Sequence, residues 1–270
     1  MKTINRTRDQ INQLDQQIAH LLRERFSLLD EILAYKVQAG EYIENPLREK
    51  EVLEGIIKEN DKYNSHLKEV YQKIIEVSKY YQWNDLLKEN IYIIGFMAVG
   101  KTTLGKTLAE KIQWDFLDTD LFIEAQEQRK IKEIFKESGE DYFRSLEAKL
   151  ILNIHREWKR AKQKKIIACG GGIILNPKNV ENMRKNGMIV HLEGDIDTIY
   201  NRLILDDTRP LLAETRDLRT KIANLLENRR DIYNQVADIS LFAEGEPPEN
   251  LVKVLIRQLE DYERKRSLAE

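Results

Sequence analysis

Hydrophobic residues in the first 88 positions follow a helical period. Apolar side chains recur every seven residues in two interleaved series, Ile4, Ile11, Ile18, Ile32 and Leu14, Leu21, Leu28. This spacing predicts a long amphipathic helix with a coiled-coil-like seam. Gly40 and the pair Asn45-Pro46 then favour a helix end and a new start, so further helices are predicted over about 46–60 and 67–87. The long helix would leave apolar surface exposed unless it pairs with another chain.

From residue 90 the pattern changes to short apolar runs separated by longer helical stretches. The runs are "IYIIGF", "WDFLDTD", "KKIIACGGG", "GMIVHLEG" and "VADISLF", and the helical stretches include 103–113, 141–163 and 216–235. Strands that alternate with helices are typical of a parallel sheet covered by helices. We therefore predict two domains, an all-α three-helix domain over 1–88 and an α/β domain with a parallel sheet over 89–270.

Composition narrows the possible functions. The chain has 270 residues and a net charge of −2, which argues against a nucleic-acid partner, because such surfaces need a basic excess. The single cysteine, Cys169, excludes an intrachain disulfide and fits a reducing compartment. The N-terminus lacks the apolar core of a signal peptide, and no apolar run approaches the roughly 20 residues that cross a bilayer. We therefore expect a cytoplasmic protein with no membrane partner.

The segment "GFMAVGKT" joins the first apolar run to a helical stretch and fits the pattern G-x-x-x-x-G-K-[ST]. In such a loop, glycine lets backbone N–H groups face phosphate oxygens, and the helix N-terminus adds its positive dipole end. Lys101 would reach the outer phosphates, and the Thr102 hydroxyl would ligate Mg²⁺. The motif predicts a nucleotide site without choosing between an ATPase, a GTPase and a small-molecule kinase.

Polar residues after the next apolar runs favour a kinase. Asp118 and Asp120 are two residues apart at a strand end, so one carboxylate can help to hold Mg²⁺ while the other faces an acceptor hydroxyl. The glycine run 170–172 permits close backbone approach to a ligand. Taken singly, the aspartates could instead cap a helix, and the arginines further along could form surface salt bridges.

In this order and spacing, the loop, "DTD", "FRSLE", "GGG", "RPLL" and "RRDIY" resemble the shikimate kinase family over nearly all of 90–262. The resemblance implies ATP and Mg²⁺ as cofactors and shikimate as the phosphoryl acceptor, with Asp120, Lys101 and Arg209 as catalytic groups. It places ATP on Gly95, Ala98, Val99, Gly100, Lys101, Thr102, Thr103, Arg202 and Arg209. It places Mg²⁺ on Thr102 and Asp118, and shikimate on Asp120, Arg144, Gly170, Gly171, Gly172 and Arg229.

The long helix carries cations where its seam favours apolar residues. Arg25 lies in the isoleucine series, and Lys36, about three turns later, nearly eclipses it. Because a buried cation is costly unless paired, this stripe predicts an anionic ligand, although cations that snorkel to the bundle surface give the same pattern. With "ENPLREKEVLE" and "IIEVSKYYQ", the segment resembles the all-helical class of chorismate mutase along 4–86. The functional positions of that family fall on Arg8, Arg25, Lys36, Arg48, Glu49, Ser78 and Gln82.

That resemblance implies rearrangement of chorismate to prephenate with no cofactor. The family forms an intertwined dimer in which the N-terminal arginine, here Arg8, reaches the neighbour's site, so a homodimer through the N-terminal helices is implied. The implied roles are carboxylate binding for Arg8, Arg25 and Ser78, hydrogen bonding to the breaking ether oxygen for Lys36 and Gln82, and contacts at the ring hydroxyl end for Glu49 and Arg48.

The two halves together predict a bifunctional enzyme of aromatic amino-acid biosynthesis. Two alternatives stay open. In one, the helical half is a non-catalytic domain for dimerisation or for sensing chorismate or prephenate, beside a working shikimate kinase. In the other, the C-terminal half phosphorylates a different hydroxylated acid, such as gluconate.

Overall fold

A computed structural model describes residues 2–204, 217–243 and 245–269 of the chain. Contacts divide the chain into two compact units, which we call the helical unit (Met1–Leu87 with Glu260–Glu270) and the α/β unit (Lys88–Leu259). None of the helices in these residues combines the length and the apolar character that a membrane span requires.

The helical unit is built on α1 (Lys2–Ala39), α2 (Pro46–Gly55) and α3 (Asn64–Leu86). α1 ends where Gly40 adopts a positive φ of 73°, which glycine adopts without steric cost. The side chain of Asn45 caps α2 by accepting from the backbone N–H of Arg48 at 3.0 Å. The predicted order of helices is confirmed, but the prediction that the second helix continues to about Asn60 is wrong. It ends at Gly55, a poor helix former, and turns lead from there into α3.

α1 presents two different faces. Leu29 and Leu33 are buried, and Phe26 stacks on Tyr81 of α3 with ring centroids 6.5 Å apart. The heptad residues of the predicted seam are all exposed, namely Ile4, Ile11, Leu14, Ile18, Leu21, Leu28 and Ile32. The seam is therefore an uncovered apolar stripe in the single chain, and contiguous exposed apolar surface is typical of interaction sites.

The α/β unit contains a five-stranded parallel sheet formed by β1 (Asn90–Ile94), β2 (Asp115–Asp118), β3 (Lys165–Ala168), β4 (Gly187–Glu193) and β5 (Ile239–Phe242). The strand order is β2-β3-β1-β4-β5. Every residue of the central strand β1 is buried, and since successive side chains point to opposite faces, both faces of the sheet are covered there. The predicted parallel α/β fold is confirmed.

Helices follow the strands of this unit, and the described ones are α4 (Lys101–Ile112), α5 (Thr119–Glu127), α6 (Ile131–Ser138), α7 (Glu140–Ala161), α8 (Pro177–Arg184), α9 (Ile196–Ile204), α10 (Leu218–Val236) and α11 (Pro248–Ala269). The helices predicted over 103–113, 141–163 and 216–235 correspond to α4, α7 and α10. Because the strands are parallel, the loops after β1, β2 and β3 all lie at the carboxyl edge of the sheet, where ligands bind in such folds.

The last part of α11 belongs to the helical unit. Asp261 accepts from the Tyr42 hydroxyl at 3.2 Å, and Arg264 donates to the carbonyl oxygen of Glu41 at 3.1 Å. These contacts hold the segment between α1 and α2 against the end of the chain. The periodicity of the first 88 residues did not predict this packing.

Candidate active sites

The loop after β1 is shaped by glycine. Gly95 and Gly100 adopt positive φ values of 146° and 113°. A Cβ on Gly95 would lie 2.3 Å from the carbonyl oxygen of Leu192, so only glycine fits there. Lys101, the first residue of α4, donates from Nζ to the carbonyl oxygen of Phe96 at 2.8 Å across the loop. The loop thus brings the N-terminus of α4 and a lysine to one place, which suits a bound phosphate.

A guanidinium lies beside this loop. Arg202 of α9 donates from Nη1 to the carbonyl oxygens of Ala98 and Val99 at 3.0 and 2.8 Å. The structure therefore brings Arg202 to the loop, as the predicted nucleotide site requires. Arg209, also predicted for that site, lies outside the described residues.

Thr102 and Asp118 meet across the carboxyl edge of the sheet. The Thr102 hydroxyl donates to one carboxylate oxygen of Asp118 at 2.6 Å, and the other accepts from the backbone N–H groups of Asp120 and Leu121 at 3.0 and 3.1 Å. Asp118 is therefore also the N-cap of α5. A hydroxyl and a carboxylate held this close beside a phosphate loop fit Mg²⁺, which prefers such oxygen ligands.

The acceptor residues converge on the glycine run. A Cβ on Gly170 would lie 2.5 Å from the Asp120 carboxylate, and one on Gly172 would lie 2.5 Å from the Arg144 guanidinium, so only glycine permits both approaches. Arg229 donates to the carbonyl oxygen of the glycine between them at 3.1 Å. The phosphate loop and these residues line one cavity of about 1050 Å³. Nucleotide and acceptor can therefore occupy the same space.

Glu147 is a site residue that the sequence analysis did not assign. Its side chain is fully buried, and it accepts from Nη1 of Arg144 at 2.8 Å, while exposed Glu140 accepts from the same guanidinium. Burial raises the pKa of Glu147 to about 7, against the opposing charge of Arg144. Glu147 lies three residues after Arg144 on α7, in the segment "FRSLE". This spacing places the two side chains on one helix face and could have indicated the pair from the sequence.

Replacing Glu147 by glutamine is expected to change how stability depends on pH. The pKa of Glu147 in the folded chain, about 7, exceeds its ordinary value of 4.5. Its contribution to the free energy of unfolding is therefore full below about pH 4.5 and is lost as the pH rises through about 7. Urea midpoints measured across this range should fall with pH more steeply in wild type than in the variant. Glu140→Gln is the matched control, and equal slopes for wild type and Glu147→Gln would contradict the prediction.

In the helical unit, Arg25 is joined to α3. Its guanidinium donates to the Ser78 hydroxyl at 2.5 Å, and the side-chain amide of Gln82 donates to the Ser78 carbonyl oxygen at 3.0 Å. Ser78 and Gln82 are both buried, and burial lowers the pKa of Arg25. Among the described residues, the Gln82 side-chain oxygen has no hydrogen-bond partner. The partly buried Arg25 cation favours an anionic ligand, whereas the Gln82 oxygen would be satisfied by a hydrogen-bond donor of that ligand.

Lys36 lies at the far end of α1 from Arg8. Its Nζ donates to the carbonyl oxygen of Ile43 at 2.7 Å. Glu49 accepts from Lys79 at 3.1 Å and is one of the charges that act on Lys36. Arg48 instead pairs with Glu51 at 2.9 Å in an exposed position, so the structure does not bring Arg48 to the cluster around Arg25 and Ser78.

Arg8 lies on α1 ahead of Arg25 and is exposed. At 1.5 Å per residue, the separation along the helix axis is about 25 Å. The single chain therefore does not bring Arg8 to the cluster around Arg25 and Ser78.

Comparisons with known proteins match both parts of the chain. A family model described as shikimate kinase matches residues 97–260, and one described as chorismate mutase type II matches residues 7–83. A shikimate kinase of Persephonella marina is 39% identical over 170 residues, which cover 63% of this chain and 98% of that protein. A shikimate kinase of a Sulfurihydrogenibium species is 39% identical over 171 residues, with 63% and 98% coverage.

Solved structures agree with the match to shikimate kinase. The shikimate kinase from Acinetobacter baumannii in complex with shikimate aligns with a TM-score of 0.59 and 30% identity, over 64% of this chain and 93% of that chain. The crystal structure of shikimate kinase from Aquifex aeolicus aligns with a TM-score of 0.54 and 34% identity, over 63% of this chain and 96% of that chain.

Proposed function

This chain belongs to the shikimate kinase family and carries a chorismate mutase type II segment, and we propose on that basis that it is a bifunctional enzyme of the shikimate pathway. Residues 1–88 rearrange chorismate to prephenate, and residues from 89 onward phosphorylate shikimate with ATP. The proposal rests on the convergence of a phosphate loop, an acceptor carboxylate and two arginines on one cavity. The same chain holds the partly buried Arg25 of α1 against Ser78 of α3.

The acceptor side of the kinase site is assigned to shikimate. Asp120 orients the 3-hydroxyl and accepts its proton. Arg144 and Arg229 bind the carboxylate, since guanidinium groups pair with carboxylates in bidentate geometry. The glycine run lets the ring approach the backbone. Support comes from the similarity to the A. baumannii kinase, which is described in complex with shikimate.

The donor side holds the nucleotide. ATP supplies the phosphoryl group and is bound by the loop from Gly95 to Thr103, with Arg202 beside it and Arg209 as a further proposed contact. Lys101 neutralises charge on the outer phosphates. Thr102 and Asp118 are the residues that would hold Mg²⁺, because the hydrogen bond between them places both oxygens beside the loop.

The helical unit is assigned to the mutase. Arg25 and Ser78 bind a carboxylate of chorismate, and Lys36 and Gln82 donate to the ether oxygen as its bond breaks. The rearrangement needs no nucleophile, metal or cofactor, because it depends on holding the reactive conformer and stabilising the developing charge. The remaining proposed contacts, at the ring hydroxyl end, are Glu49 and Arg48.

We propose that the mutase works as a homodimer through α1. The apolar stripe from Ile4 to Ile32 needs a cover, and a second copy of the same helix offers a matching heptad series. Pairing of two long helices would also bring Arg8 of one chain to the cluster on its partner, which its own chain does not do.

Mixing two inactive variants tests this arrangement. Arg8→Ala and Lys36→Ala are each expected to lose mutase activity. In an equal mixture after subunit exchange, half of the dimers are mixed, and one of their two sites carries neither change, so about a quarter of wild-type mutase activity should return. The measurement is the loss of chorismate absorbance before and after exchange. No recovery, with exchange shown by differently sized tags, would contradict the shared site.

The acceptor is tested in the same preparation. ATP consumption should require shikimate, and gluconate should not replace it. A protein that consumes ATP with gluconate but not with shikimate would contradict the assignment of Arg144 and Arg229.

A further inference from the structure

Glu260, near the end of α11, is a buried carboxylate inside the helical unit. One of its oxygens accepts from the indole N–H of Trp83 at 2.7 Å, and the other accepts from the backbone N–H of Ile43 at 3.0 Å. Trp83 is fully buried. Glu260 lies outside the residues that match chorismate mutase, at the last residue of the match to shikimate kinase. Neither match gives this carboxylate a role in the helical unit.

The two partners of Glu260 lead directly to the proposed mutase donors. The Ile43 peptide gives its N–H to Glu260 and accepts from Lys36 at its carbonyl oxygen, at 2.7 Å. Trp83 follows Gln82 in α3. A single carboxylate therefore fixes the backbone that holds Lys36 and the helix turn that carries Gln82. Buried hydrogen bonds of this kind keep donors in a fixed place.

The charges around Lys36 give Glu260 a second effect. Burial lowers the pKa of Lys36, and Glu260 is foremost among the carboxylates that raise it, followed by Glu41 and Glu49, while Lys79 lowers it. In return, burial raises the pKa of Glu260, and Trp83, the Ile43 amide, Arg264 and Lys36 lower it. Glu260 thus opposes the loss of the Lys36 proton in a partly buried place.

We propose that Glu260 is a positioning residue for Lys36, so that the C-terminal end of the chain completes the mutase active site. The inference rests on the proposed mutase function. It adds that a residue beyond the mutase segment holds the Lys36 ammonium group near the ether oxygen of chorismate, where the C–O bond breaks. The same residue keeps Lys36 charged.

The neighbouring carboxylate provides a matched control. Asp261, on the same helix turn, accepts from the Tyr42 hydroxyl at 3.2 Å and from Arg264 at 3.0 Å. It therefore also packs the end of α11 against the segment between α1 and α2. Asp261→Asn tests the packing of this helix end. Glu260→Gln keeps the side-chain size but removes the charge that acts on Lys36, and its amide can accept from only one of the two N–H groups that Glu260 binds.

The experiment measures mutase rate against pH for wild type, Glu260→Gln, Glu260→Asp and Asp261→Asn, with kinase activity of the same samples as reference. In Glu260→Gln, the alkaline limb of the mutase profile should move to lower pH by about one unit, because Lys36 loses the charge that favours its protonated form. On the acid side of that limb activity should recover in part, because the amide keeps only one of the two hydrogen bonds that Glu260 accepts. Glu260→Asp should keep the wild-type limb, since it keeps the charge, and so should Asp261→Asn.

The outcomes separate this inference from the proposed function. An unchanged profile in Glu260→Gln beside an active wild type would overturn the positioning role and leave the mutase assignment standing. A uniform loss at every pH, with no shift of the alkaline limb, would overturn the role of the charge. If Glu260→Gln loses its helical circular dichroism, Glu260→Asp carries the test, and a shifted limb in that variant would overturn the role of the charge. A wild type without mutase activity would overturn both.

Discussion

Lys36→Ala is expected to lower the rate of chorismate conversion by on the order of a thousandfold and to leave shikimate phosphorylation unchanged. Lys36 is the ammonium donor proposed for the breaking ether oxygen, where negative charge develops in the transition state. Because the ether oxygen carries little negative charge in the bound substrate, loss of the Lys36 ammonium should lower kcat and change KM much less. Both activities are measured in one sample, by chorismate absorbance and by ATP consumption with shikimate.

Lys50→Ala is the matched control for this prediction. Lys50 is an exposed lysine on α2 that pairs with Glu54 at 3.6 Å, so its removal tests a general loss of positive charge. It should retain wild-type mutase activity. A Lys36→Ala protein that keeps its helical content and converts chorismate within a few-fold of wild type would show that Lys36 is not the donor.

Asp120→Asn is expected to lower shikimate phosphorylation by on the order of a thousandfold, with the mutase unchanged. The amide keeps the shape of the carboxylate at its contact with the glycine run but cannot accept the proton of the 3-hydroxyl. ATP binding depends on the loop and should persist, so nucleotide affinity measured by calorimetry should stay near that of wild type.

Asp115→Asn serves as the control for Asp120→Asn. Asp115 is the exposed first residue of β2 and accepts from Gln163 at 2.6 Å, whereas Asp120 lies on α5, beyond the other end of that strand. Asp115→Asn should leave both activities unchanged. Retention of most kinase activity in Asp120→Asn would contradict the role of this carboxylate as the base.

Features encoded in neighbouring residues could be predicted from the sequence. The loop from Gly95 to Thr102 follows a strand and opens a helix, and its glycines meet conformational demands that arise within the loop itself. The seven-residue spacing in α1 is likewise visible in the sequence and predicts one long helix. The structure shows these residues exposed on that helix. Features of this kind depend on residues that are close together in the sequence, so a sequence pattern can predict them.

Features that depend on contacts between distant positions could not be predicted. The burial that raises the pKa of Glu147 comes from the surrounding fold. The sequence by itself does not distinguish Glu147 from other acidic residues on a helix. Glu260 is far from Lys36 along the chain, and a single sequence does not show that their segments meet.

The site assignments differ in what the single chain can support. Arg25, Ser78 and Gln82 lie together, as do Asp120, Arg144 and the glycine run. In the single chain Arg8 is exposed and lies far along α1 from Arg25, and Arg48 pairs with exposed Glu51. These two residues stay predictions that the mixing experiment and direct substitution can decide.

Chorismate turnover by the purified wild-type protein decides whether one chain performs both reactions. The measurement is the loss of chorismate absorbance, with prephenate identified as the product, in a sample that also consumes ATP with shikimate. Turnover of both substrates is the expected result. Tight binding of chorismate without conversion, while shikimate is phosphorylated, would contradict it and would make the helical unit a sensor.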